Sequence, residues 1–200
     1  MTLTPEQRAN AQLDIAIGAA SDTMQLKRAT ALVEQYMKKE RRGGGTALEH
    51  CAHVAAELAR AGLPTFVVIA GLLHDIIEDA GEFVFLHEIK KDFGRDVAYL
   101  VDILTKPVTG NRKKSERRHL ELLKASTSTA LGQYAVMIKL VDNTHNLQGC
   151  KHLKRPAEYV KYGARIQAIG AQELGDDNPF VLRHLMVLRS AQAELVNMPA

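Results

Sequence analysis

Four ionisable side chains fall close together in the otherwise apolar segment 72–79. A His-Asp doublet, His74 and Asp75, is followed three residues later by the acidic doublet Glu78 and Asp79. On an α-helix, which turns by about 100° per residue, these positions lie within one arc of roughly 140°. Carboxylates gathered on one face repel each other, and a divalent cation offsets that cost. The segment therefore suggests a metal site, although a His-Asp doublet alone is more often a solvated or hydrogen-bonded surface pair.

Two residues elsewhere in the chain complete a plausible ligand set. His50 lies upstream of the doublet and Asp142 lies downstream of it, which gives the order His…His-Asp…Asp. Two imidazoles and two carboxylates suit a borderline-to-hard divalent ion such as Mn²⁺, Fe²⁺ or Zn²⁺, with positions left for water. We therefore predict that His50, His74, Asp75 and Asp142 bind one divalent metal ion.

A metal held in this way would lower the pKa of a bound water and polarise a phosphoryl oxygen. Both effects favour hydrolysis of a phosphate ester or a pyrophosphate. Glu78 and Asp79 lie one helical turn beyond the doublet, where they could orient the water or pass a proton to the leaving group. The alternative is that they form only an acidic helix face.

Basic residues just before the first predicted ligand indicate an anionic substrate. Arg41 and Arg42 precede a run of three glycines and lie nine and eight residues before His50. Guanidinium groups grip phosphate or stack on a base, and glycines allow close backbone approach. The alternative is a solvated basic loop, and a solvated helix face is the more typical reading of the second basic run, residues 112–118.

The remaining histidines carry less information. His145 follows Asp142 by three residues, so on a helix it lies on nearly the same face, where we expect it to support the site or the core rather than act as a fifth ligand. We predict that the histidines without a partner pattern are structural or surface residues, namely His53, His87, His119, His152 and His184.

Length and composition predict a single globular domain spanning residues 1–200. The 46% hydrophobic content is typical of a globular protein. The sequence contains no apolar run long enough for a membrane span and no signal segment. The formal charge of +3 is too mild to indicate nucleic-acid binding but suits a small anionic substrate. Cys51 and Cys150 lack CxxC spacing, and we expect a reduced, cytoplasmic protein. The oligomeric state is left open.

The hydrophobic pattern is helical nearly throughout and contains no convincing alternation of the strand type. We therefore predict an all-α fold of about eight to ten helices, in which the helix that starts at Thr65 carries the whole doublet segment. The predicted helices are 4–20, 22–39, 47–61, one from 65, 83–92, 94–105, 113–125, 131–147, 156–174 and 178–196.

The order of these motifs resembles the HD hydrolase superfamily. More narrowly, it is similar to the hydrolase domain of RelA/SpoT-type enzymes and to the small alarmone hydrolases, over about residues 20–195. The motifs that carry the resemblance are Arg41-Arg42 ahead of His50, the segment 74–79, Phe93-Gly94 followed by an apolar helix that ends in Leu104-Thr105-Lys106, and the segment 139–146.

The resemblance implies an all-α HD bundle that removes the 3′-pyrophosphate of (p)ppGpp with Mn²⁺, giving GDP or GTP. The four predicted ligands match the family's metal ligands, and Glu78 and Asp79 match the pair that acts on the water and the leaving group. Arg41 matches an arginine that packs on guanine, and Arg42 matches its basic neighbour. Further implied substrate contacts are Lys114, Asn146, Arg155 and Tyr159. The resemblance leaves no room within residues 1–200 for a synthetase domain, so we expect degradation only.

Two departures from the family pattern leave the substrate open. Residues 44–48 replace the usual Gly-Glu-Pro-Tyr-Ile, and Gly149 stands where long members often have a hydroxyl residue. Besides guanosine tetra- or pentaphosphate, the substrate could be another nucleoside phosphate or NADPH, cleaved by the same HD chemistry. A third possibility is a non-catalytic nucleotide-binding regulator, against which the intact ligand set and acidic doublet argue.

Overall fold

The computed structural model describes residues 3–41 and 44–197, and of Lys151 only the backbone. Over these residues it contains eleven α-helices, one 3-10 helix and no strand, which confirms the predicted all-α class. One isolated antiparallel bridge joins Glu40 and Thr46. Within the described ranges, no helix has both the length and the apolar character that a membrane span requires. The described residues divide into two compact units, of which the first contains residues 3–41 and 45–107 and the second contains Gly44 and residues 108–197.

The first unit contains seven helices, and a side-chain cap begins each of the first three. Thr4 and Gln7 form a capping box, and the side chains of Asp22 and Thr46 each accept a hydrogen bond from a backbone N–H in the first turn of the next helix. The helices are α1 (Pro5–Ala19), α2 (Thr23–Tyr36), α3 (Ala47–Arg60), α4 (Thr65–Leu73), α5 (Ile76–Ala80), α6 (Leu86–Phe93) and α7 (Arg95–Leu104).

The core of the first unit is built around α3 and α4. Helix α3 packs against α1 and α4, while α4 also contacts α2 and α7. Helix α4 is almost entirely apolar and is buried from Val67 to Leu73. A Cβ at Gly71 would lie 2.3 Å from Leu58 Cδ1, so the glycine permits the close approach of α3 and α4. Helix α3, which carries His50, and helix α4, which ends just before His74, are thus held in tight contact.

The second unit contains four α-helices and a 3-10 turn. The side chains of Asn111, Thr129 and Asn178 cap the helices that follow them. Helix α9 packs against α8, α10 and α11, and it is largely buried between Gly132 and Leu147. The elements are α8 (Arg112–Ser126), α9 (Ala130–Gln148), the 3-10 helix (Cys150–His152), α10 (Pro156–Leu174) and α11 (Pro179–Val196).

One predicted element differs in kind from the structure. The helix that starts at Thr65 ends at Leu73, and α5 begins only at Ile76, so His74 and Asp75 form a turn. His74 Nδ1 donates a hydrogen bond to the Gly71 carbonyl at 2.8 Å. Because an unbroken helix would give that carbonyl to the Asp75 N–H, the imidazole replaces the backbone donor and interrupts the ladder. The other predicted helices agree with the structure to within three residues at each end.

Candidate metal centre and the residues around it

Three of the predicted ligands meet in the first unit. His50 Nε2 and His74 Nε2 lie 3.2 Å apart, and His74 Nε2 lies 3.2 Å from Asp75 Oδ2. The distance from His50 Nε2 to Asp75 Oδ2 is 3.7 Å. Both imidazoles are buried, whereas the Asp75 side chain is 22% exposed. Two nitrogens and one carboxylate oxygen therefore converge at the edge of the core, close to solvent.

The protonation of His74 suits it to metal binding. Its Nδ1–H is committed to the Gly71 carbonyl, so the Nε2 lone pair points into the cluster. Metal-binding histidines commonly use a backbone carbonyl in this way to set their tautomer. The convergent N₂O set is of the type that divalent transition metals prefer, and the residues present therefore fit a divalent ion.

Cys51 adjoins the cluster but shows no sign of being reactive. The thiol is buried, and burial raises its pKa, although a hydrogen bond with His74 partly opposes the shift. A thiol whose pKa is raised is mostly protonated near neutrality and is a poor nucleophile and metal ligand. Cys51 is therefore best described as a small apolar neighbour of His74.

The acidic doublet lies on α5 and is paired with two lysines that sequence reasoning missed. The Lys106 backbone N–H donates to Glu78 Oε1 at 2.7 Å, and Lys106 Nζ lies 3.3 Å from Oε2. Lys39 Nζ approaches Asp79 Oδ1 at 3.9 Å. The sequence motifs include Lys106 without indicating a role for it, and no sequence pattern indicates Lys39. These pairs bridge residues far apart in sequence, so only tertiary contacts disclose them.

The electrostatic environment of Asp79 favours its protonated form. Burial raises the pKa of Asp79, and the negative charge of Asp75 raises it further. The positive charges of Lys39 and Arg41 partly offset these effects. A carboxyl group with a raised pKa keeps its proton to a higher pH than an ordinary aspartate does, which suits a proton donor.

The loop before α3 places Arg41 in the electrostatic environment of the acidic doublet. The Arg41 N–H donates to the Gly45 carbonyl at 2.9 Å, and Ala47 N–H donates to the Lys39 carbonyl at 2.8 Å. Gly44 and Gly45 have positive φ angles of 95° and 73°, which a residue with a side chain rarely adopts. The loop thus turns back on itself just before the first ligand. Arg42 lies outside the described residues.

In the second unit, Asp142 is held by two neighbours on α9. Lys139 Nζ donates to Asp142 Oδ2 at 2.7 Å, and Asn146 Nδ2 donates to Oδ1 at 2.6 Å. The Lys139 and Asp142 side chains are only 2% and 4% exposed. Asn146, which the resemblance assigned to substrate, thus orients the predicted ligand Asp142 in this structure. Lys139 was not identified as important from the sequence.

A second buried polar contact lies beside Asp142. His184, which the sequence predicts to be a structural or surface residue, is buried, and its ring lies 2.9 Å from the Asn143 amide and 2.7 Å from that of Gln167. Burial lowers the pKa of His184 to about 4, against the opposing charge of Asp142. His184 is therefore a neutral core histidine at physiological pH. His119 is also buried, with Nδ1 2.9 Å from the Tyr162 hydroxyl.

The remaining predicted substrate residues lie on α8 and at the start of α10 in the second unit. Lys114 is exposed in the first turn of α8. Arg155 is 72% exposed just before α10 and lies 3.7 Å from Glu158, which also forms an ion pair with Arg112. Tyr159 is partly buried and packs against a small core cluster. Arg155 and Lys114 are thus available to an anion, whereas Tyr159 also has a packing role.

The HD domain family profile matches residues 29–172, which is more than two thirds of the chain. The chain belongs to the HD domain family. The match extends through both units and confirms the family resemblance that the sequence motifs indicate. The His50, His74 and Asp75 cluster is thus the candidate metal centre of an HD domain.

Several curated proteins are similar in sequence to this chain. A GTP pyrophosphokinase of Streptomyces coelicolor is 32% identical over 143 residues, which cover 70% of this chain and 16% of the relative. A probable GTP pyrophosphokinase of Mycobacterium leprae is 31% identical over 147 residues, or 71% of this chain and 18% of the relative. A guanosine-3′,5′-bis(diphosphate) 3′-pyrophosphohydrolase of Aquifex aeolicus is 32% identical over 115 residues, or 58% and 16%. The chain spans about a sixth of the length of these relatives.

Solved structures share the fold. A metazoan orthologue of SpoT that hydrolyses ppGpp superposes with a TM-score of 0.71 at 18% identity, covering 86% of this chain and 97% of that one. A protein from Listeria monocytogenes EGD-e superposes with a TM-score of 0.59 at 25% identity, covering 70% and 92%. At 18% identity the first similarity establishes the fold alone.

Proposed function

We propose that this HD domain is a metal-dependent phosphohydrolase that removes the 3′-pyrophosphate of (p)ppGpp, leaving GDP or GTP. The observation that carries the proposal is the His50, His74 and Asp75 cluster, with Glu78 and Asp79 on the helix that follows it. The substrate assignment is supported by the Aquifex relative, whose name specifies that reaction. The metazoan orthologue that hydrolyses ppGpp supports the fold on which that reaction would take place.

Asp142 is proposed as the fourth ligand. Its carboxylate is buried and hydrogen-bonded at both oxygens, as the supported carboxylate ligands of metal sites are. With Asp142, the donor set becomes two imidazoles and two carboxylates, for which Mn²⁺ is the proposed ion and Fe²⁺ or Zn²⁺ are alternatives. A divalent ion bound there supplies Lewis acidity, which lowers the pKa of water and stabilises negative charge on phosphoryl oxygens.

The acidic doublet is proposed to move the protons of the reaction. A water oxygen forms a bond to the phosphorus attached to the ribose O3′, the P–O3′ bond breaks, and its electron pair passes to O3′. Glu78, held as a hydrogen-bond acceptor by Lys106, orients the water and accepts its proton. Asp79, whose pKa is raised by burial and by Asp75, delivers a proton to O3′ and completes the 3′-hydroxyl.

Charge distribution supports an anionic substrate. Residues 1–107 contain twelve Lys and Arg against fifteen Asp and Glu, whereas residues 108–200 contain fourteen against eight. The acidic part contains the cluster that suits a cation, and the basic part contains Lys114, Asn146, Arg155 and Tyr159, which we propose bind the phosphates and the ribose. Arg41 is proposed to stack on guanine, with Arg42 beside it.

A substrate panel tests the proposal directly. The protein is stripped with a chelator, reloaded with Mn²⁺, Fe²⁺ or Zn²⁺, and incubated with ppGpp, GTP, other nucleoside phosphates and NADPH. We expect pyrophosphate and GDP from ppGpp with at least one reloaded ion, and no turnover by the stripped protein. Hydrolysis of another nucleotide without pyrophosphate release from ppGpp would refute the (p)ppGpp assignment while leaving the HD chemistry intact.

A further inference from the structure

We propose that Lys106 is a positioning residue of the hydrolytic site, which holds the Glu78 carboxylate in the orientation needed to act on water. The proposal rests on the function proposed above, because it assigns a role to a residue that supports Glu78. Lys106 lies 28 positions from Glu78 in the sequence, just after the end of α7.

Lys106 binds both oxygens of Glu78. Its backbone N–H donates to Oε1 at 2.7 Å, while Nζ lies 3.4 Å from Oε1 and 3.3 Å from Oε2. A glutamate side chain has three rotatable bonds, so a carboxylate held at both oxygens loses most of its freedom. This grip matters because α5 is only five residues long, too short to be a rigid support alone.

Lys106 is itself held by a well-packed element. The preceding residue, Thr105, ends α7 and donates its hydroxyl hydrogen to the Val101 carbonyl at 2.8 Å. Val101 and Leu104 are buried, and α7 packs against α4, the helix that ends next to His74. Through Lys106 and α7, the position of Glu78 is thus fixed relative to α4, the helix that ends just before His74.

The other carboxylate of the doublet is held much less firmly. Lys39 Nζ lies 3.9 Å from Asp79, beyond hydrogen-bond distance, and the Lys39 side chain is 73% exposed. Lys106 is only 33% exposed, and its backbone N–H adds a direct bond. The structure thus restrains Glu78 and leaves Asp79 freer. This difference suits a Glu78 carboxylate that must orient a water molecule and an Asp79 carboxylate that must transfer a proton.

The pair is expected to affect catalysis far more than folding. Glu78 and Lys106 are both partly exposed, and ion pairs of this kind contribute little to stability. Orientation is more sensitive, because a small misplacement of a catalytic group costs on the order of 10- to 100-fold in rate. If the pair only stabilised the fold, its loss would lower the free energy of unfolding and leave the rate nearly unchanged.

The first experiment compares Lys106→Met with Lys106→Arg and with Lys91→Met, a matched exposed lysine on α6 of the same unit. We expect kcat of Lys106→Met to fall on the order of 10-fold. The loss should not be larger, because the backbone N–H of residue 106 still donates to Glu78. KM should be nearly unchanged, because Lys106 is not proposed to bind substrate. Lys106→Arg should recover most of the turnover, and Lys91→Met should match the wild type. Metal content and thermal unfolding should be the same in all three. A raised KM with normal kcat would overturn the proposal, because Lys106 would then bind substrate.

The decisive experiment is a double-mutant cycle with Glu78→Gln. If Lys106 acts through Glu78, Lys106→Met should have little further effect in the Glu78→Gln background. A 10-fold loss that persists there would overturn the proposal. Failure of the wild type to release pyrophosphate from ppGpp is a different result, which refutes the function proposed above. The cycle then uses whichever nucleotide of the panel is hydrolysed, and a protein that hydrolyses none refutes both.

Discussion

The two units surround the carboxylates that we propose to be functional with different environments. In the first unit, Glu78 and Asp79 lie near the surface and are paired with lysines that come from loops, with Lys106 and Glu78 33% and 25% exposed. In the second unit, Asp142 lies in the interior and is paired with Lys139 of its own helix, with side chains 2% and 4% exposed. Ion pairs near solvent contribute little to stability, whereas a buried charge that loses its partner is costly. We therefore expect substitutions in the first arrangement to reduce activity with little effect on stability, and substitutions in the second to destabilise the fold.

The largest effect should follow from Lys139→Met. This substitution removes the ammonium partner of a buried carboxylate, and we expect the free energy of unfolding of the metal-free protein to fall by about 3–5 kcal/mol in urea titrations. The double variant Lys139→Met with Asp142→Asn removes both charges and should recover much of the loss. A fall of less than about 1 kcal/mol would show that the buried pair behaves like a surface pair, and would remove the contrast between the units.

A second effect of burial should appear as a pH dependence of stability. The pKa of His184 is about 4 in the folded protein and 6.5 is its ordinary value, because burial disfavours the charged ring. Below pH 6.5 the unfolded chain binds a proton that the folded chain refuses, so stability present above pH 6.5 is lost as pH falls toward 4. The full loss is about 3 kcal/mol.

Urea unfolding from pH 7.5 to pH 4 measures this contribution in the wild type and in His184→Gln. The variant should lack about 3 kcal/mol of the pH dependence, while the exposed His87→Gln should keep it. Identical pH profiles for the wild type and His184→Gln would mean that His184 is not a neutral core residue, contrary to its placement beside Asn143 and Gln167.

In the first unit, Glu78→Gln should impair chemistry and spare the fold. The amide keeps the shape but cannot accept a proton, and we expect kcat to fall on the order of 10²-fold or more. Elemental analysis should find the metal retained, and unfolding should be nearly unchanged, since the side chain is partly exposed. A near-normal kcat with full metal content would exclude Glu78 from the mechanism.

Arg41→Ala tests whether a residue of the first unit also contacts the base of the substrate. If Arg41 stacks on a base, its loss should cost about 1–3 kcal/mol, or roughly 5- to 150-fold in kcat/KM, for guanine nucleotides. A small pyrophosphate ester without a base should be hydrolysed at an unchanged rate by the same variant. Equal losses on both substrates would assign Arg41 to the phosphates or to the acidic doublet instead.

The smallest effect should be that of Lys106→Met on stability. Its ion pair with Glu78 is partly exposed, so we expect the free energy of unfolding to change by less than about 1 kcal/mol. Compared in the same urea titrations, Lys106→Met and Lys139→Met remove chemically identical groups from the two environments. Equal losses would contradict the idea that exposure separates the two units.

The sequence by itself determined the helical class, most helix boundaries and the identity of the chemical groups. Local signals were sufficient for these features: capping residues such as Thr4 and Thr46 begin helices through bonds three residues away, and helical periodicity is a short-range property. The His-Asp doublet and the segment around Asp142 likewise indicated the HD family from the order of residues alone, and the family match confirmed it.

The tertiary structure decided how those groups are held. Periodicity predicted an unbroken helix through His74, but the imidazole takes the Gly71 carbonyl and ends it. Lys106 and Lys39 reach the doublet from distant segments, and no local pattern specifies such contacts. Lys139 is only three residues from Asp142, yet its importance comes from burial, which the packing of α9 against its neighbours creates. Residue type determines which charges a chain can offer, whereas packing determines which of them are desolvated and paired.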